Sequence, residues 1–213
     1  PTYPIRMGPT DKSLADLDKQ IAQLQKSLET STPTLVAAQA KWEAGLAPEV
    51  AQAASSVTLS AWSRIGPFPA DNFETAHAKA FGPEQDFTKT AQSQLDLNQT
   101  YDGLKWSIDK RLVDGKPHAL TGQNCATYLF RTITSAKARR LAVSLGSDDS
   151  IKLWLNGKLK FENKVLRAVA PDQDKTTLNL VAGENRLLLK VANGGGGYGF
   201  FFRLQPSSLP AAV

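Results

Sequence analysis

Hydrophobic and polar residues follow two different periods along the chain, and the change falls in its first quarter. Leu14, Leu17, Ile21, Leu24 and Leu28 recur at spacings of three and four. That is the heptad seam of a helix with one narrow apolar stripe, and Thr10 or Asp11 can cap its start. About two heptads are too few for a stable free coiled coil, so the stripe needs a partner. Thr30-Ser31-Thr32-Pro33 breaks this helix and can start a second. There Leu35, Ala38, Trp42 and Leu46 carry an apolar stripe as far as Pro48. The pattern predicts a helical hairpin over residues 1–50, with Trp42 buried where the helices meet or where they meet the next domain. The alternative is that the Leu14 to Leu28 seam pairs with another chain or a neighbouring domain. Pro1 to Pro9 reads as a loose lead-in and Ala47 to Ser56 as a linker.

From Val57 the period becomes two. Val57, Leu59 and Ala61 alternate with Thr58, Ser60 and Trp62 until Ile65-Gly66-Pro67-Phe68-Pro69, which is expected to end the strand. Asn72 to Asp96 predicts a long loop with a helical turn or two. Leu104 to Ile108 is a short strand containing Trp106, and Asp114-Gly115 predicts a hairpin turn. Between Ala126 and Thr134, Tyr128, Phe130 and Thr132 share one face, and Leu129, Arg131 and Ile133 the other. Leu141, Val143 and Leu145 alternate next. Ile151, Leu153 and Leu155 then alternate with Lys152 and Trp154, and Asn156-Gly157 follows as a strong hairpin signal. Gly183-Glu184-Asn185 predicts a second turn before the strand Leu187 to Val191. Phe200 to Phe202 predicts a last strand. Strands in such number predict two packed antiparallel sheets, a β-sandwich or jelly roll over residues 57–206, mainly β, with the helices segregated at one end or face.

Composition narrows the function classes. The 213 residues are 41% hydrophobic, enough for a core, and the formal net charge is +5. The basic residues are scattered, without the stripe and interleaved aromatics of a nucleic-acid binder, so no nucleic-acid partner is expected. Cys125 is the single cysteine, which excludes an internal disulfide; beside an alternating strand it reads as a buried small hydrophobe. No apolar run is long enough to insert in a membrane. No signal peptide is visible, and Pro1 in place of Met fits a processed or excised chain. His77 and His118 lie in no metal or triad pattern, there is no Gly-x-Ser-x-Gly elbow, and no enzyme is expected.

The stretch Ser147-Asp148-Asp149-Ser150-Ile151-Lys152-Leu153-Trp154-Leu155-Asn156-Gly157 resembles two β-sandwich groups. One is the lectin-like domain of protective-antigen type. The other is the sugar-binding-type jelly roll of family 2 glycoside hydrolases, whose second half is matched by Leu180-Val181-Ala182-Gly183-Glu184-Asn185-Arg186-Leu187. Over nearly the whole chain, Leu17 to Leu28, Ala40-Lys41-Trp42-Glu43, Ile65-Gly66-Pro67-Phe68, Tyr128 to Ile133 and Asn185 to Phe202 are similar to an accessory domain of large planctomycete cytochrome-c-domain proteins. That resemblance implies an extracytoplasmic module, periplasmic or at the cell surface, with neighbouring domains of a parent protein as partners. The haem-attachment pattern Cys-x-x-Cys-His is absent, so this part carries no haem.

The lectin resemblance implies that Asp148 and Asp149, joined by a cis peptide, chelate Ca²⁺, and that the ion holds sugar hydroxyls. Hard Ca²⁺ suits such oxygens. A turn capped by two aspartates explains the pair equally, and the sequence assigns no third ligand. Asn193-Gly194-Gly195-Gly196-Gly197-Tyr198-Gly199 is the second candidate. Its glycines let the backbone approach a ligand, and Tyr198 can stack on a sugar ring; the alternative is a tightly bent hairpin. Trp154 is either a core residue or a sugar platform. The candidate ligand-binding set is therefore Trp154, Asn156, Asn193, Gly195 and Tyr198, with Asp148 and Asp149 for Ca²⁺. Two functions are expected: a non-catalytic module binding polysaccharide through loops at one end of the sandwich, or a structural domain orienting its neighbours through the helical hairpin. Exposed Trp154 and Tyr198 would favour the first. Buried ones, with a bare helical stripe, would favour the second.

Overall fold

The computed structural model describes residues 11–29, 32–54, 57–89 and 95–205. The chain divides into two compact units, Pro1–Glu49 and Val50–Val213. The expected Pro1 to Pro9 lead-in, the Thr30-Ser31 break and the Leu14, Leu28 and Leu46 side chains lie outside what is described.

The first unit holds helix α1 (Asp11–Glu29) and most of α2 (Pro33–Ala54). Thr32 caps α2, its Oγ1 accepting from Leu35 N at 3.2 Å, with Pro33 in the first helical position where its missing N–H costs nothing. The helix does not stop at Pro48: the alanine-rich segment predicted as a linker continues it to Ala54. High helix propensity there offsets the one bond that proline removes. Trp42 is 64% exposed, and Leu17, Ile21 and Leu24 are exposed too, so within this unit Trp42 is not buried where the helices meet. The stripe of α2 is built partly from alanine, which offers little apolar area to close over a ring.

The second unit is the mainly β, antiparallel sandwich. Its strands are β1 (Val57–Leu59), β2 (Ser63–Pro69), β3 (Thr100–Tyr101), β4 (Leu104–Lys105), β5 (Ser107–Ile108), β6 (His118–Ala119), β7 (Cys125–Ser135), β8 (Arg139–Asp148), β9 (Ser150–Leu155), β10 (Lys158–Asn163), β11 (Asp174–Leu180), β12 (Gly183–Asn193) and β13 (Gly199–Leu204). A seven-stranded sheet runs β10-β9-β12-β7-β2-β5, with β1 also on β7; a four-stranded sheet runs β11-β8-β13-β6; β3 and β4 pair alone. Between the two sheets lies one core, in which Leu129, Ile133, Ile151, Leu153, Leu187 and Leu189 meet Leu141, Val143, Leu145, Leu178, Phe200 and Phe202. The alternation read from the sequence produces this face directly.

The other face of the large sheet is also buried. Helices α3 (Phe73–Ala78) and α4 (Gly82–Lys89) carry Ala76 and Phe87, and the connection between them Phe81, into a second core with Phe68, Tyr128, Phe130, Trp154 and Leu188. This explains Trp154, whose parity sets it opposite Leu153 and Leu155. Lys190 shares that face and is fully buried. Its Nζ donates to His77 O at 2.9 Å and Lys79 O at 2.6 Å and faces Glu84 Oε2 at 3.3 Å; the Glu84 oxygen also accepts from Tyr128 OH at 2.8 Å. Burial pushes the Lys190 pKa down to about 8, against the pull of Glu84. The buried charge is thus paired and saturated with acceptors, as it must be.

Three connections differ from the sequence reading. Ile65 to Pro69 lies inside β2, where the register against β7 shifts between Ile65 and Phe68. Gly66 has φ +133° and packs so closely on Thr127 that a Cβ would sit 2.9 Å from its Cα; a strand tolerates Gly and Pro together at such a bulge. Asp114-Gly115 does not close a hairpin, because β5 belongs to the large sheet and β6 to the small one. Asp114 instead accepts from Trp62 Nε1 at 3.1 Å and pairs with Arg131 at 2.8 Å, and Arg131 lies over the Trp62 ring at 4.4 Å. The Asn156-Gly157 hairpin does form, joining β9 to β10. Gly183 does not close the second one: β11 pairs with β8 and β12 with β7 and β9, so the chain crosses between sheets there.

Asn185 fastens that crossing. Fully buried, its Oδ1 accepts from Val181 N at 2.9 Å and Asn156 Nδ2 at 3.0 Å. Its Nδ2 donates to Val181 O at 2.9 Å and Gly183 O at 3.2 Å. Replacing Asn185 with Ala orphans these groups and should lower unfolding free energy by about 2–4 kcal/mol, measured as a shifted urea midpoint with an unchanged slope.

Candidate functional site

Two sheet-to-sheet crossings lie side by side. Asp148 ends β8 and Ser150 begins β9, while the glycine loop joins β12 to β13. The registers interlock them: Asp148 is opposite Gly199, and Ser150 is opposite Ala192. Residues 193–198 therefore pass over Asp149. The Asp148–Asp149 peptide is cis, as the lectin resemblance implies.

Asp149 ties three segments together. Its N donates to Ala192 O at 3.2 Å. Its Oδ2 accepts from Gly194 N at 3.0 Å, and its Oδ1 from Arg167 N at 3.0 Å. Asp148 is held less. Gly197 lies so near its Oδ2 that a Cβ there would collide with it, which accounts for a glycine in that place. Burial, and then the Asp149 carboxylate beside it, push the Asp148 pKa above the ordinary carboxylate range, against a backbone hydrogen bond from Val169. The nearby cations are engaged elsewhere. Arg167 donates to Ser147 O at 3.2 Å and Ser147 Oγ at 3.0 Å and pairs with Asp174, and Lys164 pairs with Glu74. Two adjacent, buried carboxylates that no side chain among the described residues pairs are poised for a cation.

Asn193 sits between the two residues that bond Asp149. It is fully buried; its Nδ2 donates to Gly122 O at 2.7 Å, and its Oδ1 has no protein partner. A buried amide oxygen without a partner, on the residue between the two that bond Asp149, is a donor of the kind an oxygen-loving ion such as Ca²⁺ takes. Among the described residues no group of three or more His, Cys, Asp and Glu could hold a metal, so a site here depends on this amide.

The remaining ligand candidates fare differently. Gly195 is exposed, with open space beside it. Trp154 is 4% exposed and belongs to the core under α3 and α4. Tyr198 is 6% exposed, its OH donating to Val191 O at 2.7 Å. Neither ring can serve as a sugar platform. Asn156 is bound to Arg186, its Oδ1 accepting Arg186 N at 2.8 Å. Seven residues of β12 separate that point from Asn193, about 23 Å, so Asn156 holds a turn at the far end of the sheet. Cys125 is buried, and burial pushes its thiol up to about 11.

Sequence reasoning missed two residues at this site. Phe73 opens α3 and stands 3.2 Å from where a Gly194 Cβ would lie. His77, one turn later, joins α3 to the acidic strand: its Nδ1 meets Ser150 Oγ at 2.9 Å and its Nε2 meets Glu162 Oε1 at 2.8 Å. Both lie in the segment predicted as loop, and no local motif marks them. Ser150, His77 and Glu162 line up like a hydrolytic triad, but Ser150 is 1% exposed and a nucleophile must be reachable. A separate depression of about 610 Å³ lies near Arg186, lined also by Asp86, Tyr101, Phe130 and Glu184. Glu184 pairs there with Arg186 at 2.9 Å, and Asp86 accepts from Tyr101 OH at 2.9 Å.

No family model matches the chain, and no curated protein does. Among solved structures it is similar to the PA14 domain of MpAFP antifreeze protein (11% identity, 71% of this chain and 85% of that one, TM-score 0.37). It is also similar to the PA14 sugar-binding domain of an RTX adhesin (14%, 39% and 49%, TM-score 0.29). A third is a β-glucosidase from Kluyveromyces marxianus (18%, 40% and 11%, TM-score 0.32). The chain spans about a tenth of that enzyme's length. At these scores the likenesses carry no inference, and function must be argued from the side chains.

Burial, and then Lys152, lower the His77 pKa below 6.5, against the pull of Glu162. A depressed folded-state pKa gives stability that is present above 6.5 and lost as pH falls through the folded value. Unfolding free energy, followed from neutral pH downward, should therefore fall more steeply in the wild type than in His77→Gln, with the difference opening below about 6.5.

Proposed function

We propose that the sandwich is a non-catalytic carbohydrate-binding module whose ligand is held through Ca²⁺ at the junction of the two crossings. The observation that supports this reading is the set formed by Asp148, Asp149 and Asn193: two buried carboxylates that no side chain among the described residues pairs, and a buried amide oxygen without a partner on the residue between the two that bond Asp149. These three residues would hold the ion, and bound Ca²⁺ supplies open positions for sugar hydroxyls. The chain's own part is to fix Asp149 through Gly194 N and Arg167 N and to hold Asp148 by a backbone hydrogen bond from Val169, with Gly197 close against it. The reading includes what the planctomycete resemblance implies, a module of a larger extracytoplasmic protein. Among the described residues no helix is long and apolar enough to cross a membrane.

A second reading has its own observation. Trp154 and Tyr198 are buried, whereas Leu17, Ile21, Leu24 and Trp42 are exposed, the combination that favours an interaction domain. On this reading the helical unit orients neighbouring domains of a parent protein. The two readings concern different units of the chain and are separable by experiment.

Calcium decides the first. At a hundredfold excess over its Kd, Ca²⁺ should add about 2.7 kcal/mol, roughly 5–10 °C in Tm. A panel of soluble and insoluble polysaccharides should be bound with Ca²⁺ and released by chelator. The Asp148 pKa is raised, so the folded state is favoured below the unfolded pKa of 3.8 and loses that advantage as pH rises through the folded value. Asp148→Asn should therefore be more stable than wild type in chelator while losing the calcium response. A variant less stable in chelator would mark Asp148 as a turn cap.

A further inference from the structure

The acidic junction needs an apolar surface if it is to read a sugar ring, and the two aromatics that the sequence offered are buried. The molecule places a different ring there. Phe73 is half-buried and belongs to neither hydrophobic core, unlike Phe68, Phe81, Phe87, Phe130, Phe200 and Phe202. A Cβ on Gly194 would lie 3.2 Å from Phe73 Cβ and 3.6 Å from its Cγ, and the N–H of that same glycine holds Asp149 Oδ2 at 3.0 Å. One residue thus connects the ring to the carboxylate. The Gly194 backbone thus packs against the base of the Phe73 side chain, which stays half-buried, and a Cβ added at Gly195 or Gly196, the next two residues, would meet nothing within 4 Å.

The ring is also held in place. Asn72 caps α3, its Oδ1 accepting from Thr75 N at 2.8 Å. One turn on, His77 is fixed to Ser150 and Glu162, and the carbonyls of His77 and Lys79 bind Lys190. The Phe73 ring lies 6.4 Å from that of His77, centroid to centroid, and an aromatic that is held on a fixed helix, half-buried and left out of both cores has surface to offer a ligand. Leu166, 69% exposed, adds apolar surface beside Arg167, the donor to the other oxygen of Asp149.

We propose that Phe73 is the stacking platform for the ligand at the Asp148–Asp149 junction, so that the ligand is a pyranose whose apolar ring face lies on Phe73 while its hydroxyls face the acidic residues. This rests on the carbohydrate reading above and adds the residue that orients the sugar. Phe73 is a binding residue, in contact with the ring and not with the ion.

The test compares wild type with Phe73→Leu, Phe73→Trp and Phe73→Ala. The probes are methyl glucopyranoside, mannopyranoside and galactopyranoside, and dextran, mannan and galactan, by calorimetry in Ca²⁺. Phe73→Leu, which keeps an apolar side chain against Gly194, should weaken binding about tenfold, and Phe73→Trp should restore it. Sugar ring protons should shift upfield on binding to wild type and Phe73→Trp and not to Phe73→Leu. The Ca²⁺-induced rise in Tm should be the same in all four proteins, which separates this proposal from the ion site. Equal sugar affinity in wild type and Phe73→Leu overturns the platform and leaves the calcium reading standing. Wild type that shows the calcium rise but binds none of the probes overturns the platform together with the carbohydrate reading. A calcium rise lost in Phe73→Leu would make Phe73 a support of the ion site, and that also overturns the proposal.

Discussion

Burial of the large sheet on both faces governs the rest of the structure. A β-sandwich needs only one covered face per sheet, yet here Tyr128, Phe130, Trp154 and Leu188 form a second apolar layer that must be hidden from water. The segment 73–89 does this as α3 and α4. Lys190 then becomes a buried cation in the middle of that layer, and it is tolerated because the carbonyls at the end of α3, with Glu84 on α4, complete its bonding. The cap is thereby fixed both by apolar contact and by a charge that has no other place to go.

The acidic junction inherits its form from this arrangement. Because α3 is pinned by its last carbonyls, its first turn sets Phe73 against Gly194, and its histidine meets the strand that begins right after Asp149. Arg167 reaches the same carboxylate from the connection between β10 and β11 and takes Asp174 for its own counter-ion. The junction is assembled from four separate stretches of chain, and only two of them, Asp148-Asp149 and the glycine loop, have a local sequence signature.

What could be read from the sequence follows from what is periodic. Alternation gave β7, β8, β9 and β13 and the inter-sheet core, and Asn156-Gly157 gave a true hairpin. Parity also showed that Trp154 had to differ from Leu153 and Leu155. It could not show that a non-periodic stretch covers that side, and so the buried Trp154 and the overlooked Phe73 have one cause. The turns at Asp114 and Gly183 failed as hairpins for a related reason. Turn chemistry is local, whereas the sheet each flanking strand joins is decided by distant pairing. In the helices the stripe was legible but not its partner, because spacing describes a face and not what meets it.

The glycine loop combines two kinds of glycine. Gly194 and Gly197 are hemmed in, one by Phe73 and Asp149 and the other by Asp148, while Gly195 and Gly196 touch nothing. The outer pair serve as fixed posts and the inner pair as a free span between them. Gly195 could be exchanged without disturbing the sheets or the carboxylates, since a Cβ there meets nothing, whereas Gly196, at φ +80°, favours glycine for its backbone. The rim of the junction is thus free to diversify over evolutionary time while the posts and the acidic pair stay as they are. A fold built this way can change what it recognises without having to relearn how to fold.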